Sequence, residues 1–129
     1  MARFLLDTSV LIDFSKSIPA TVHGLETFAE SGDELCVCSI VIAEFVSGLR
    51  PVDRPRWTDL LLSMRYLPDS RTMAIDAGRY RYHLARLGRS VSTTDALIAA
   101  VAQAWDATLL TENPKHFELE GLTVRSLRA

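Results

Sequence analysis

Short apolar runs alternate along this chain with longer segments of helical spacing. Arg3 to Leu6 is a brief apolar run, and Asp7-Thr8-Ser9 after it offers three caps for a helix over about Val10 to Phe14. A second helix is predicted from about Pro19 to Glu30, ended by Ser31-Gly32-Asp33. Leu35 to Cys38 reads as a compact buried strand, and Ser39 opens a helix to about Leu49. Arg50-Pro51-Val52-Asp53 interrupts the pattern before a helix from about Pro55 to Met64, with Pro55 at a tolerated first-turn position. A short strand at Tyr66-Leu67 and a long helix from about Thr72 to Leu87, closed by Gly88, come next. Thr93 or Thr94 then caps an apolar helix, Ala96 to Ala104, and Thr108 to Leu110 and Leu122 to Val124 close the series as strands. Strands alternating with helices predict a single α/β domain over residues 1–129 with a mainly parallel sheet. In such sheets, sites collect outside the carboxyl ends of the strands. Asp7, the Ser39–Glu44 segment and Thr111-Glu112-Asn113 all leave strands on that edge.

Three acids interrupt this pattern where apolar residues would be expected. Asp7 follows a strand directly, a position that also suits a plain helix cap. Glu44 lies in Ile40-Val41-Ile42-Ala43-Glu44-Phe45-Val46, a helix apolar nearly all round, which predicts burial. A carboxylate there is costly unless paired, protonated or bound to metal. Asp95 opens Asp95-Ala96-Leu97-Ile98-Ala99-Ala100, where the helix dipole alone would also favour an acid. No lysine is close to any of them in sequence. Acids brought together repel, and a divalent cation with hard oxygen ligands relieves that. Mg²⁺ or Mn²⁺ in such a place suits phosphodiester hydrolysis.

Composition removes several alternatives. The 129 residues carry a net charge of −2, so this is not a generally basic nucleic-acid coat. The cations are mostly arginine, with Lys16 and Lys115 the only lysines. Arg50, Arg54 and Arg56 form one cluster, and Arg79, Arg81, Arg86 and Arg89 another. Guanidinium forks suit phosphate, and Arg50 and Arg89 are candidate phosphate contacts, although solvated helix faces use arginine too. An early carboxylate and the lack of a long apolar run predict a soluble, cytoplasmic protein without membrane attachment. Cys36 and Cys38, two apart in a strand, read as small hydrophobes in a reduced compartment. His23, His83 and His116 lack metal-ligand spacing and read as surface or structural residues. Asp13 reads as a solvated, helix-flanking residue, and Asp76 as a lesser candidate for a cleft. A haloacid-dehalogenase-type phosphotransferase would need an acid where Ser9 stands.

Leu5-Leu6-Asp7-Thr8-Ser9-Val10-Leu11-Ile12-Asp13, Ser39 through Glu44, Thr94-Asp95-Ala96-Leu97-Ile98-Ala99-Ala100 and Leu110-Thr111-Glu112-Asn113 with Phe117 follow one another in order. Together they resemble the PIN domain, and within it the VapC-type toxins of prokaryotic toxin–antitoxin pairs. The resemblance spans essentially the whole chain. It implies a three-layer α/β/α fold and a Mg²⁺- or Mn²⁺-dependent ribonuclease acting on single-stranded or loop RNA, tRNA or mRNA. Asp7, Glu44 and Asp95 match the family's metal-binding acids, and Thr8, Ser9 and Thr111 its supporting hydroxyls. After the late strand the family has a further acid or amide. Asn113 is the preferred match, as a weaker metal ligand, with Glu112 second. The resemblance also implies a homodimer or a hetero-oligomer with a cognate antitoxin. The alternative is a PIN-fold module that binds RNA or protein without catalysis.

Overall fold

The computed structural model describes residues 1–128. Five strands, β1 (Arg3–Leu6), β2 (Glu34–Val37), β3 (Arg65–Tyr66), β4 (Thr108–Leu110) and β5 (Val124–Arg125), form one sheet in the order β3-β2-β1-β4-β5. All four pairings are parallel. Among the described residues six helices flank it: α1 (Thr8–Ser15), α2 (Pro19–Glu30), α3 (Ser39–Ser47), α4 (Arg54–Ser63), α5 (Arg71–Arg86) and α6 (Thr93–Ala104). The three-layer α/β/α arrangement is therefore observed. Among the described residues no helix is long and apolar enough to cross a membrane.

The core is built from the central strands and the helices beside them. Leu5, Val37, Val41, Ile98, Val101, Leu109 and Leu110 are fully buried. Burial of each such side chain stabilises the fold by about 1.5–3 kcal/mol. Cys36 and Cys38 belong to this core as free thiols. Burial pushes Cys36 up to about 11 and raises Cys38 too, so both are poor thiolates.

Element boundaries differ from expectation where a side chain outside the apolar pattern sets them. Ser92, rather than Thr93 or Thr94, caps α6 by accepting a hydrogen bond from the Asp95 N–H at 3.1 Å. Ser70 caps α5 through the Met73 N–H, so that helix starts before Thr72. Cys38 is the N-cap residue of α3 and not the end of β2. At the C-terminal side, β3 and β5 are each two residues long and sit one or two positions from the predicted runs. Gly88 closes α5 with φ 76°, as its place after the helix predicts.

The strand order fixes where a site forms. Chain order runs outward from β1 to β2 and β3 on one side, and β4 and β5 lie on the other. The crevice at the carboxyl ends of β1 and β4 is thus the topological switch point of the sheet. Leu6 pairs with Leu110, which places the next residues, Asp7 and Thr111, side by side at that crevice.

Candidate active site

Asp7 continues the β1–β4 ladder by one step, its N–H donating to the Leu110 carbonyl at 2.9 Å. Its own carbonyl accepts the first bond of α1 from Val10 at 3.0 Å. It is the N-cap residue of α1, yet its side chain makes no capping hydrogen bond. The carboxylate turns instead to two hydroxyls: Thr111 Oγ1 donates to Oδ2 at 2.7 Å, and Ser9 Oγ donates to the same oxygen at 3.0 Å. Each hydroxyl has one proton, so with both protons on Asp7 the 3.3 Å approach of Ser9 to Thr111 is a contact between acceptors. Their lone pairs accept backbone N–H groups in turn, Glu112 onto Ser9 and Asn113 onto Thr111, each at 3.0 Å. Two amides of the loop after β4 therefore orient two hydroxyls, which hold one face of a buried carboxylate. Both bonds fall on Oδ2 and leave Oδ1 free of them.

Asp95 stands in the first turn of α6 with 24% of its side chain exposed. Burial, foremost, holds its carboxyl above the ordinary range, and the Asp7 charge adds to that; His116 and Ser92 offset part of the effect. Asp7 and Asp95 are thus electrostatic neighbours. His116 places Nδ1 3.4 Å from Asp95 Oδ2.

Glu44 departs from expectation in its surroundings. It is exposed on α3, because only the Val41 and Phe45 face of that helix is fully buried. Its Oε1 accepts a hydrogen bond from Thr8 Oγ1 at 2.8 Å, which ties α3 to the residue after Asp7. Thr8 therefore serves Glu44, while Ser9 and Thr111 serve Asp7. Among the described residues, no three His, Cys, Asp or Glu side chains have already converged closely enough to hold an ion. The donor chemistry nevertheless fits a hard divalent cation: two carboxylates that influence each other, a third one linked through Thr8, and, among the described residues, no lysine or arginine paired with any of them.

Other candidates are placed as follows. The Glu112 carboxylate is turned away, accepting from Ser126 Oγ and from the Leu127 N–H. Asn113 is exposed and contributes its backbone N–H to Thr111. Arg50 pairs with Asp53 at 2.9 Å and Asp76 with Arg79 at 3.6 Å, both on exposed surfaces. Arg89 pairs with Glu118 at 3.5 Å and lines a cavity of about 340 Å³ with Arg81, Tyr82, Arg86, Ser90 and Val91. That cavity adjoins Ser92, the cap of the helix that carries Asp95. Asp13 is not solvated: it is buried and held by a two-point ion pair from Arg128, Nε to Oδ2 at 2.7 Å and NH2 to Oδ1 at 2.6 Å. His116 is exposed, as predicted, but its link to Asp95 brings it into the site. The one sequence signal for it was its place in the segment after β4, on the switch-point edge.

A family model described as PIN domain matches residues 4–122. This chain belongs to the PIN-domain family. The PIN domain shares 31% identity with the tRNA(fMet)-specific endonuclease VapC of Salmonella typhimurium, over 92% of each chain. It shares 29% with the protein of the same name from Shigella flexneri, over 94% of each. Among solved structures, DNA-bound VapBC from Salmonella typhimurium superposes with a TM-score of 0.82 at 28% identity, covering 98% of this PIN domain and 99% of that chain. VapBC2 from Rickettsia felis, bound to a promoter DNA fragment, gives 0.83 at 25% identity, covering 96% and 98%. The resemblance to VapC ribonucleases seen in the sequence motifs thus extends along the full PIN domain.

Proposed function

We propose that this PIN domain is the ribonuclease toxin of a VapBC-type pair, hydrolysing phosphodiester bonds in loop or single-stranded RNA with Mg²⁺ or Mn²⁺ at Asp7, Asp95 and Glu44. One observation carries the metal reading: Asp7, at the switch point of the sheet, helps to raise the carboxyl of Asp95, and among the described residues no lysine or arginine is paired with either acid. Such a pair is poorly neutralised by the protein alone and suits a divalent ion. When bound, the ion supplies Lewis-acid activation of water and of the phosphoryl group.

The chain's own residues do the rest. Ser9 and Thr111 fix the Asp7 carboxylate in one orientation, so the site is ordered before any ligand arrives. Thr8 orients Glu44 from the other side. The arginine-lined cavity formed by α5 and the loop that leads into α6 supports docking of RNA phosphates, with Arg89 among its walls and Tyr82 available for stacking. Arg50, exposed past the C-terminal end of α3, would act only on an extended strand. Relatives named for initiator tRNA make tRNA the first substrate to try.

An antitoxin partner follows from the VapBC likeness. Ile75 and Tyr82, exposed two turns apart on α5, support self-association into a homodimer.

Purified protein should cut a labelled tRNA pool with Mg²⁺ or Mn²⁺ and stop cutting with EDTA or in Asp95→Asn. Cutting that survives EDTA would overturn the metal mechanism. RNA binding without cutting, under every metal condition and for every RNA supplied, would favour the non-catalytic module.

A further inference from the structure

Resting on that metal-dependent reading, we infer that His116 is a nitrogen ligand to the divalent cation at Asp95 and biases the site towards Mn²⁺ over Mg²⁺. The first ground is distance. Two neighbouring donors about 2.1 Å from an octahedral ion stand about 3 Å apart. His116 Nδ1 and Asp95 Oδ2 are separated by 3.4 Å, close to that edge length.

The second ground is placement. His116 belongs to the 3₁₀ turn Pro114–Phe117 that follows β4, and its N–H donates to the Asn113 carbonyl at 3.0 Å. Phe117, the next residue, is 1% exposed and anchors the turn in the core. The imidazole itself is 61% exposed. A fixed backbone with a free ring allows the small rotation that ligation needs.

The third ground is the chemistry of the neighbours. The turn from Thr111 to Phe117 has no available carboxylate, because Glu112 is its one acid and Ser126 and Leu127 occupy that group. Lys115 has no lone pair when charged, and the Asn113 amide is a weak ligand. His116 is the strong donor that remains in this segment. Imidazole nitrogen suits later first-row metals, whereas Mg²⁺ keeps to oxygen, so the substitution of nitrogen for oxygen shifts preference towards Mn²⁺. The rival role is an exposed imidazolium–carboxylate ion pair with no part in metal binding.

Pulsed electron paramagnetic resonance of Mn²⁺ added to the metal-free protein separates the two. The wild type should show a ¹⁴N coupling from imidazole, absent in His116→Ala. Mn²⁺ affinity should fall by roughly tenfold or more in that variant, the scale seen when even outer partners of a metal site are lost. Mg²⁺ affinity, read by competition, should fall by much less. His116→Asp should bind Mn²⁺ without the coupling and with a lower Mn²⁺-to-Mg²⁺ preference. Mn²⁺ bound to the wild type without ¹⁴N coupling would overturn the role of His116 and leave the carboxylate site standing. No Mn²⁺ binding at all would overturn both.

Discussion

Asp7 and Asp13 are two buried aspartates flanking one short helix, and they are neutralised in opposite ways. Asp7 is 5% exposed and Asp13 is 7% exposed, so burial does not tell them apart. Asp13 receives both ends of the Arg128 guanidinium, and its charge is answered within the protein. Asp7 receives only neutral hydroxyls, and it shares the site with another carboxylate, Asp95, whose proton its charge helps to hold. A buried acid with a cation of its own holds the fold together. One that is oriented but not neutralised is prepared for something that arrives from outside.

The two aspartates should differ most in their effect on cleavage. Asp7→Asn should reduce RNA cleavage by on the order of 10²–10³-fold or more, the scale of losing one electrostatic group at a reacting centre. Asp13→Asn should leave cleavage nearly intact but lower the Tm by several degrees, because Arg128 loses its charged partner. Cleavage assays and thermal melts of the two variants side by side test this.

A smaller effect is expected at the support of Asp7. Thr111→Val keeps the shape but removes a fully buried hydroxyl, leaving the Asn113 N–H without its acceptor. The cost should be about 1–3 kcal/mol in chemical denaturation. Metal affinity or activity should drop by roughly 10–100-fold, as for other outer partners of a metal site.

Asp95→Asn sharpens the comparison from the opposite direction. The folded state raises the Asp95 carboxyl above its ordinary value, chiefly by burial. The neutral form is therefore favoured in the fold, and its stabilisation is present at low pH and lost as pH rises through the raised value. Asparagine stays neutral throughout. Without metal, the variant should therefore melt above the wild type at neutral pH and match it at low pH, while losing cleavage. A lower Tm at neutral pH would mean that Asp95 is a structural acid like Asp13.

The smallest stability change belongs to Glu44→Gln. Its exposure keeps the change within about 0.5 kcal/mol in denaturant melts, while RNA cleavage falls.

Much of this was legible in the sequence because it is local. Period and caps locate most helices, and an acid directly after a strand marks the sheet edge where Asp7 sits. Glu44 was legible for a partly mistaken reason: its helix is apolar in composition, but one face opens to water. Asp13 was not legible, because the arginine that buries it stands 115 residues away. Its ion pair is a product of the fold and leaves no spacing in the chain. His116 was missed for the same reason, since only the turn after β4 brings it to Asp95. Ser92 and Ser70 shifted two helix starts because a hydroxyl outside the apolar pattern sets where each begins.

The most direct measurement is cleavage of a labelled tRNA pool by wild type, Asp7→Asn and Asp13→Asn, each with Mn²⁺ and with EDTA. Wild type and Asp13→Asn should cut in Mn²⁺ alone, and Asp7→Asn should cut at least about 10²-fold more slowly. Cutting by Asp7→Asn at a rate near that of the wild type, or by the wild type in EDTA, would contradict the metal-site reading of Asp7.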